Sequence, residues 1–99
     1  MSSIGSSGEP FDQFDTDSQS VNTTGDTLSA LFTNLAFTTG RGIMLQNRGT
    51  ANVLLGKAVG TARWRILPGA VVTIYPKDLA KVAIKADSGT QTVDCLLVV

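Results

Sequence analysis

The feature that most constrains the fold is a series of six short apolar runs from residue 42 onward. They are rich in Val, Ile and Leu, and they are separated by turns that contain Gly, Pro or Asp. Because a parallel pair needs a crossover of about a dozen residues or more, connections this short favour antiparallel neighbours. The sequence therefore predicts an all-β protein, a compact antiparallel β-sandwich or small barrel. The predicted strands cover 42–47, 51–58, 62–66, 70–75, 81–86 and 92–99.

The last run, "TVDCLLVV", predicts a strand that is tied into the fold. Alternation places Val93, Cys95, Leu97 and Val99 on one face, so Cys95 is interpreted as a small core residue and not as a reactive thiol. The opposite face begins polar and ends apolar. Such a strand is either central in its sheet or covered by another chain.

The segment "ARWRI" carries two guanidinium groups beside the one tryptophan. Alternation predicts that Trp64 and Ile66 face inward, while Arg63 and Arg65 form a basic outer face. That face is interpreted either as a contact for an anionic partner surface or as a solvated exterior over a buried indole. Nucleic-acid binding is not expected, because it favours exposed aromatic side chains among the basic ones, and Tyr75 stands alone.

The first 26 residues have a different composition from the rest. They hold five acidic residues and no Lys or Arg, whereas residues 27–99 hold eight basic and three acidic residues, a balance of 8 − 3 = +5. Their Ser, Gly, Thr and Asp content cannot bury enough surface to fold alone. We therefore predict an extended acidic N-terminal arm at 1–26 and a β-sandwich domain at 27–99. The arm can lie on its own body or on a neighbouring one.

Two aromatic residues stand out in the arm. Phe11 and Phe14 lie three residues apart in "PFDQFD". They are interpreted as anchors that dock into a partner, with the alternative that they are incidental residues of a loose tail. Between the arm and the first strand, four apolar residues follow helical spacing, and Asp26 or Thr27 is a plausible N-cap. A short helix or turn is predicted at about 27–33 from Leu28, Leu31, Phe32 and Leu35.

The segment "QNRGTANVLLG" is interpreted as a tight hairpin. Asn47 and Gly49 are residue types that tolerate positive φ. Arg48 would then stand exposed at the hairpin tip, where it can reach a carboxylate on a neighbour. The hairpin would set the register of the two strands that flank it.

Composition argues against catalysis. The chain has no histidine and one cysteine, so histidine-based catalysis, an internal disulfide and Cys–His metal sites are excluded. Asp87 belongs to a "DSGT" turn, which explains it better than a catalytic pairing with Asp94. No glycine pattern of a phosphate cradle is present. No catalytic, cofactor or metal residue is therefore expected, and no enzyme activity.

Two further classes are not expected. No apolar run approaches the ~20 residues of a membrane helix, so no membrane partner is predicted. The first residues lack a basic stretch followed by an apolar one, which is untypical of a secretory signal. We expect a protein used without signal-peptide export.

The order of the turn motifs carries a family resemblance. "NRGTANVLLG", "ILPGAVVTI", "KDLAKVAIKA" and "DSGTQTVDCLLVV" together resemble small β-sandwich structural proteins of tailed-bacteriophage virions. The resemblance covers about residues 41–99 and not the arm. It implies a role as a capsid decoration (cement) protein, a head-fibre base, or a tail or neck component, in repeated copies and without catalytic residues.

The expected function is therefore that of a virion structural protein, made in the host cytoplasm and present in the virion. It would bind the head surface through the arm and the basic face. Its expected partners are other virion proteins, above all the major capsid protein, and a homo-oligomer is possible. The alternatives are a tail or neck component or a small carbohydrate- or ligand-binding β-sandwich. The predicted partner-binding residues are Phe11, Phe14, Arg48, Arg63 and Arg65.

Overall fold

The computed structural model describes residues 14–37 and 39–98. They form two antiparallel four-stranded sheets that face each other, which confirms an all-β sandwich. One short helix, α1, covers Leu28–Leu31, and single 3-10 turns occur at Val59–Thr61 and Leu79–Lys81. The strands are β1 (Phe14–Val21), β2 (Asp26–Thr27), β3 (Gly42–Asn47), β4 (Val53–Gly56), β5 (Trp64–Ile66), β6 (Val71–Ile74), β7 (Ala83–Ala86) and β8 (Gln91–Val98).

The strand order is that of a jelly roll. One sheet runs β1-β8-β3-β6 and the other β2-β7-β4-β5. The pairs β1–β8, β2–β7, β3–β6 and β4–β5 are those of one long antiparallel hairpin rolled into two sheets. Among the described strands, only β4 and β5 are both consecutive and paired. The other connections cross between sheets, which lie about 10 Å apart, a gap that three or four extended residues can span.

This topology overturns the predicted hairpin at "QNRGTANVLLG". β3 and β4 belong to opposite sheets, so the segment between them is a crossover. The buried Asn47 side chain holds it: Nδ2 donates to the carbonyl oxygens of Ala51 and Ile66, both at 2.8 Å, and Oδ1 accepts from the Gly49 amide at 2.9 Å. Gly49 is not a positive-φ glycine. The space beside Gly49 is instead filled by the Gln91 side chain. A Cβ added at position 49 would lie 2.8 Å from the Cβ of Gln91.

The sandwich begins earlier than the sequence indicated. Residues 14–21, assigned to the arm, form the edge strand β1, which pairs with β8 from Phe14↔Val98 to Val21↔Gln91. Residues 26–27 form β2 on the other sheet. Gly25 permits the turn between them, with φ +74° and no room for a Cβ beside the Ile84 carbonyl oxygen. Residues 1–13 of the predicted arm, which include Phe11, lie outside the described residues.

The predicted short helix is confirmed as α1. The Thr27 hydroxyl accepts from the Ala30 amide at 3.3 Å, as an N-cap does. Leu28 and Phe32 are buried, while Leu31 and Leu35 pack against the core from its margin. The helix and the loop after it therefore cover the core on the side where β1 and β2 are the sheet edges.

The pattern of burial confirms the inner face predicted for the last strand and corrects the burial predicted for Trp64. Val93, Cys95 and Leu97 are buried together, as alternation predicted. Trp64 was expected to be buried beside Ile66, but 68% of its surface is exposed. The side chain of Trp64 does point to the inner face, since Trp64 pairs with the buried Leu55 across β4 and β5. The burial was wrong because β5 is a sheet edge, and the space in front of the indole is left open as a groove.

Candidate functional site

The outer face of the β1-β8-β3-β6 sheet is an apolar surface. Strand pairing aligns Phe14, Val98 and Gly42 in one row, and Leu96 and Met44 in the next. Val71 and Tyr75 extend the surface onto and beyond β6. The exposed fractions are large for apolar side chains: 55% for Phe14, 41% for Met44, 50% for Val71 and 76% for Tyr75. We call Phe14, Met44, Val71, Tyr75, Leu96 and Val98 the apolar face.

The apolar face follows from the character of β8. Its inner residues fill the core, and its outer residues Leu96 and Val98 are only half-buried, although β8 is central in its sheet. No other element of the described chain lies over it. A shallow depression of about 200 Å³ is lined by Met44, Val71 and Leu96, among others. An uncovered group of apolar side chains such as this is typical of a contact surface.

One end of the apolar face is polar and internally paired. The Arg48 guanidinium lies 3.0 Å from Asp94 Oδ2, and the Ser18 hydroxyl donates to Asp94 Oδ1 at 2.6 Å. The Ser18 hydrogen bond, and then the hydrogen bond and charge of Arg48, hold the pKa of Asp94 below its usual value against partial burial. Arg48 thus contacts a carboxylate of its own chain, where the sequence suggested a neighbour's.

The predicted basic face lies on the other sheet. Arg63 and Arg65 are exposed, and strand pairing aligns Arg65, Leu54 and Lys85 in one row. Trp64 lies on the opposite face of β5. The guanidinium groups and the indole therefore do not form one stacking surface, so the exposure of Trp64 does not create the interleaved aromatic and basic pattern of nucleic-acid binding.

The four predicted partner-binding residues that the structure describes are not brought together. Phe14 and Arg48 lie at opposite ends of the apolar sheet face, and Arg63 and Arg65 lie on the other sheet. Phe11 precedes the described residues. Sequence reasoning did not identify Met44, Val71 and Tyr75 as part of a surface. Alternation in 42–47 and 70–75 was the available signal, because it places apolar side chains on both faces of these runs.

A groove opens between the two sheets on the side of β5 and β6. It has a volume of about 450 Å³. Leu55, Val72, Ile74 and Val82 give it an apolar lining, and Trp64 contributes its exposed indole. Lys57 and Lys81 are exposed at the groove, and no acidic residue of the described chain lines it. An apolar slot with two cations beside it can hold an apolar side chain flanked by negative charge.

Cys95 provides the one thiol of the sequence. Cys95 is buried, and burial raises the pKa of its thiol to about 12, so it stays protonated and unreactive in the fold. Residues 14–37 and 39–98 contain no group of three or more side chains placed to bind a metal ion. No helix within those ranges is long and apolar enough to cross a membrane.

Comparison of the sequence with models of known protein families and with curated proteins gives no match. The resemblance to phage structural proteins therefore rests on the turn motifs alone.

Proposed function

We propose that the protein is a non-catalytic structural component of a tailed-phage virion, most specifically a capsid decoration protein. It attaches as repeated copies to other virion proteins, above all the major capsid protein. The observation that carries this proposal is the uncovered apolar face of the β1-β8-β3-β6 sheet. The turn motifs support the phage assignment. The fold is compatible with it but does not decide it, because jelly rolls occur in capsid proteins and also in lectins and cupins.

The size of the apolar face indicates how attachment works. Its rows extend about 14 Å across four strands and about 14 Å along them, on the order of 200 Å² in projection. A typical stable protein interface buries about 800 Å² per partner. The apolar face is therefore too small to hold one copy by itself. Repeated copies on a lattice, or added contacts from the N-terminal residues and from Arg63 and Arg65, make up the difference.

The test uses virions purified on a density gradient from lysates of cells that carry this sequence. Mass spectrometry should find the chain in the particle band in a fixed ratio to the major capsid protein. Met44→Asp places a charge in the apolar face and should release the chain from the particles. Thr90→Asp, at an exposed turn residue, is the matched control and should remain bound. Absence of the unaltered chain from the particles overturns the proposal.

A second candidate is a glycan-binding module, and it rests on the exposed indole of Trp64. Aromatic side chains at a groove are the usual means of stacking against sugar rings, and Trp64 is 68% exposed beside one. Because Trp64 is the one tryptophan, its fluorescence reports directly on binding. A saturable change in emission on titration with oligosaccharides supports this function. Unchanged emission at millimolar glycan excludes it.

A further inference from the structure

We infer that the groove between β5 and β6 receives the N-terminal segment of a second copy of this chain, with Phe11 as the inserted side chain. This inference rests on the proposed function, because it supplies the contact that links neighbouring copies. The groove is the receptor and residues 8–13, "GEPFDQ", are the occupant.

The chemistry of the two partners is complementary. The groove presents Val72, Ile74 and Trp64 to an incoming apolar side chain, with Lys57 and Lys81 beside them. The segment presents one aromatic ring with Glu9 and Asp12 on either side of it. Residues 1–13 contain no Lys or Arg. At about 450 Å³ the groove lies within the range of pockets that take small ligands, about 300–1,000 Å³, so one phenyl ring and adjacent backbone fit.

The reach of the chain favours insertion into a second molecule. β1 and β6 are opposite edges of one sheet, three strand spacings or about 14 Å apart. Phe11 precedes Phe14 by three residues, which span at most about 11 Å of backbone, so the ring of Phe11 reaches the line of β6 only at full extension. The groove lies beyond β6, on the inner side of the sheet. A neighbouring copy therefore provides the groove more readily than the same chain does.

The positions of the edges favour such a contact. The row of Phe14, Val98 and Gly42 lies next to Ile74, since Ile43 pairs with both Leu97 and Ile74. The start of β1 and the groove are thus at the same end of the sandwich. When the β1 edge of one copy lies beside the β6 edge of the next, residues before Phe14 reach the groove and can pair with β6. This contact is head-to-tail, so it forms a ring or a chain.

The test is disulfide trapping in the full chain. Phe11→Cys is made in one preparation and Val82→Cys in another that carries a size tag. Val82 lines the groove, is half-buried and is not one of the side chains named above as contacting Phe11 or its acidic neighbours. The two are mixed with oxidised glutathione as the oxidant, which accepts the two electrons released when the thiols join. The native Cys95 is buried with a raised pKa and does not compete.

The expected result is a disulfide-linked heterodimer in the mixture. The matched control replaces Val82→Cys by Thr90→Cys, in the turn before β8 and at the other end of the sandwich, and should give no heterodimer band. Adding Glu9→Lys and Asp12→Lys to the Phe11→Cys chain should abolish the band as well. A heterodimer no stronger than the Thr90→Cys control overturns the inference.

The same experiment separates cis from trans insertion. A chain carrying both Phe11→Cys and Val82→Cys, oxidised at high dilution, should stay reduced. An internal disulfide there overturns the inference by showing that a chain fills its own groove. Virion attachment is scored separately by mass spectrometry. A chain that is found in particles but is not trapped therefore refutes the insertion of Phe11 into a second copy and does not contradict the proposed function. Trapping of a chain that is absent from particles refutes the function alone.

Discussion

The sandwich has two sides at which the edges of its sheets lie, and these two sides are covered to different degrees. Where β1 and β2 are the edges, the chain supplies its own cover: Leu28 is 0% and Phe32 is 1% exposed. Where β5 and β6 are the edges, Trp64 lies at the gap without closing it, since 68% of its surface is exposed. The first side, which we call the closed side, is covered within one molecule. The second, which we call the open side, has an apolar lining but no cover among the described residues, which is typical of a site for another chain.

The closed side also explains two of the five acidic residues near the N-terminus. The Asp17 carboxylate accepts from the Asn34 amide at 3.2 Å and from Asn34 Nδ2 at 3.0 Å, and Asp15 accepts from the Ala36 amide at 2.8 Å. These hydrogen bonds fasten the loop after α1 to β1. The charge that the sequence assigned to a partner-seeking arm is thus partly used internally, and Glu9 and Asp12 remain for a partner.

The largest expected effect comes from removing the cover of the closed side. Phe32→Ala should lower the free energy of unfolding by about 3–5 kcal/mol, because it deletes a fully buried ring and leaves a cavity. Trp64→Ala, on the open side, should change it by about 1 kcal/mol or less, as is usual for exposed positions. Urea denaturation followed by circular dichroism measures both. Equal losses for the two variants would contradict the difference between the sides.

A smaller effect should appear with pH. Partial burial opposes ionisation of Asp17, but hydrogen bonds from Asn34, Gln19 and the Ser18 amide outweigh it and lower the pKa of Asp17 below 3.8. A carboxyl with a lowered folded pKa stabilises the fold above pH 3.8 and loses that contribution as the pH falls through the folded value. Asp17→Asn should lower the urea midpoint at pH 7 and flatten its decline below about pH 4.

The matched control for that measurement is Asp26→Asn, since Asp26 is exposed and, among the described residues, accepts a hydrogen bond from the amide of Thr27 alone. Its decline in acid should follow that of the unaltered chain. If Asp17→Asn and Asp26→Asn decline in parallel, the hydrogen bonds to Asn34 do not stabilise the closed side.

Local patterns in the sequence were enough for the elements from α1 onward but not for their arrangement or for β1. The buried residues of β8 and the N-cap at Thr27 were predictable, because the two-residue alternation of a strand and the hydrogen bond of a capping hydroxyl both act over a few residues. The hairpin prediction failed because Asn and Gly suit a hairpin and a crossover equally. What selects the crossover is distant in sequence: the bond from Asn47 to the Ile66 carbonyl, and Gln91 against the loop.

The same reason separates the predictable part of the candidate site from the rest. The end of β8 is apolar on both faces, and this pattern predicted a strand that is central in its sheet or covered by another chain. Its outer residues Leu96 and Val98 do belong to the apolar face. The groove was not predictable, because alternation shows which way Trp64 points and not what lies in front of it. β1 was missed because its polar side chains are untypical of a strand. Its pairing with β8 and the bonds of Asp15 and Asp17 compensate.

The smallest expected effect is kinetic and uses Cys95 to report on the closed side. Cys95 lies on β8 directly opposite Asp17, so an aromatic disulfide reagent reaches it only when β1 or the loop opens. With the pKa of the thiol raised to about 12 by burial, the native chain should react slowly at pH 8. Asn34→Ala removes the side-chain donor to Asp17 and should speed the reaction, whereas Trp64→Ala should not. If both variants react at the rate of the unaltered chain, opening does not occur through the Asp17–Asn34 contact, and β1 is held by its backbone pairing with β8 instead.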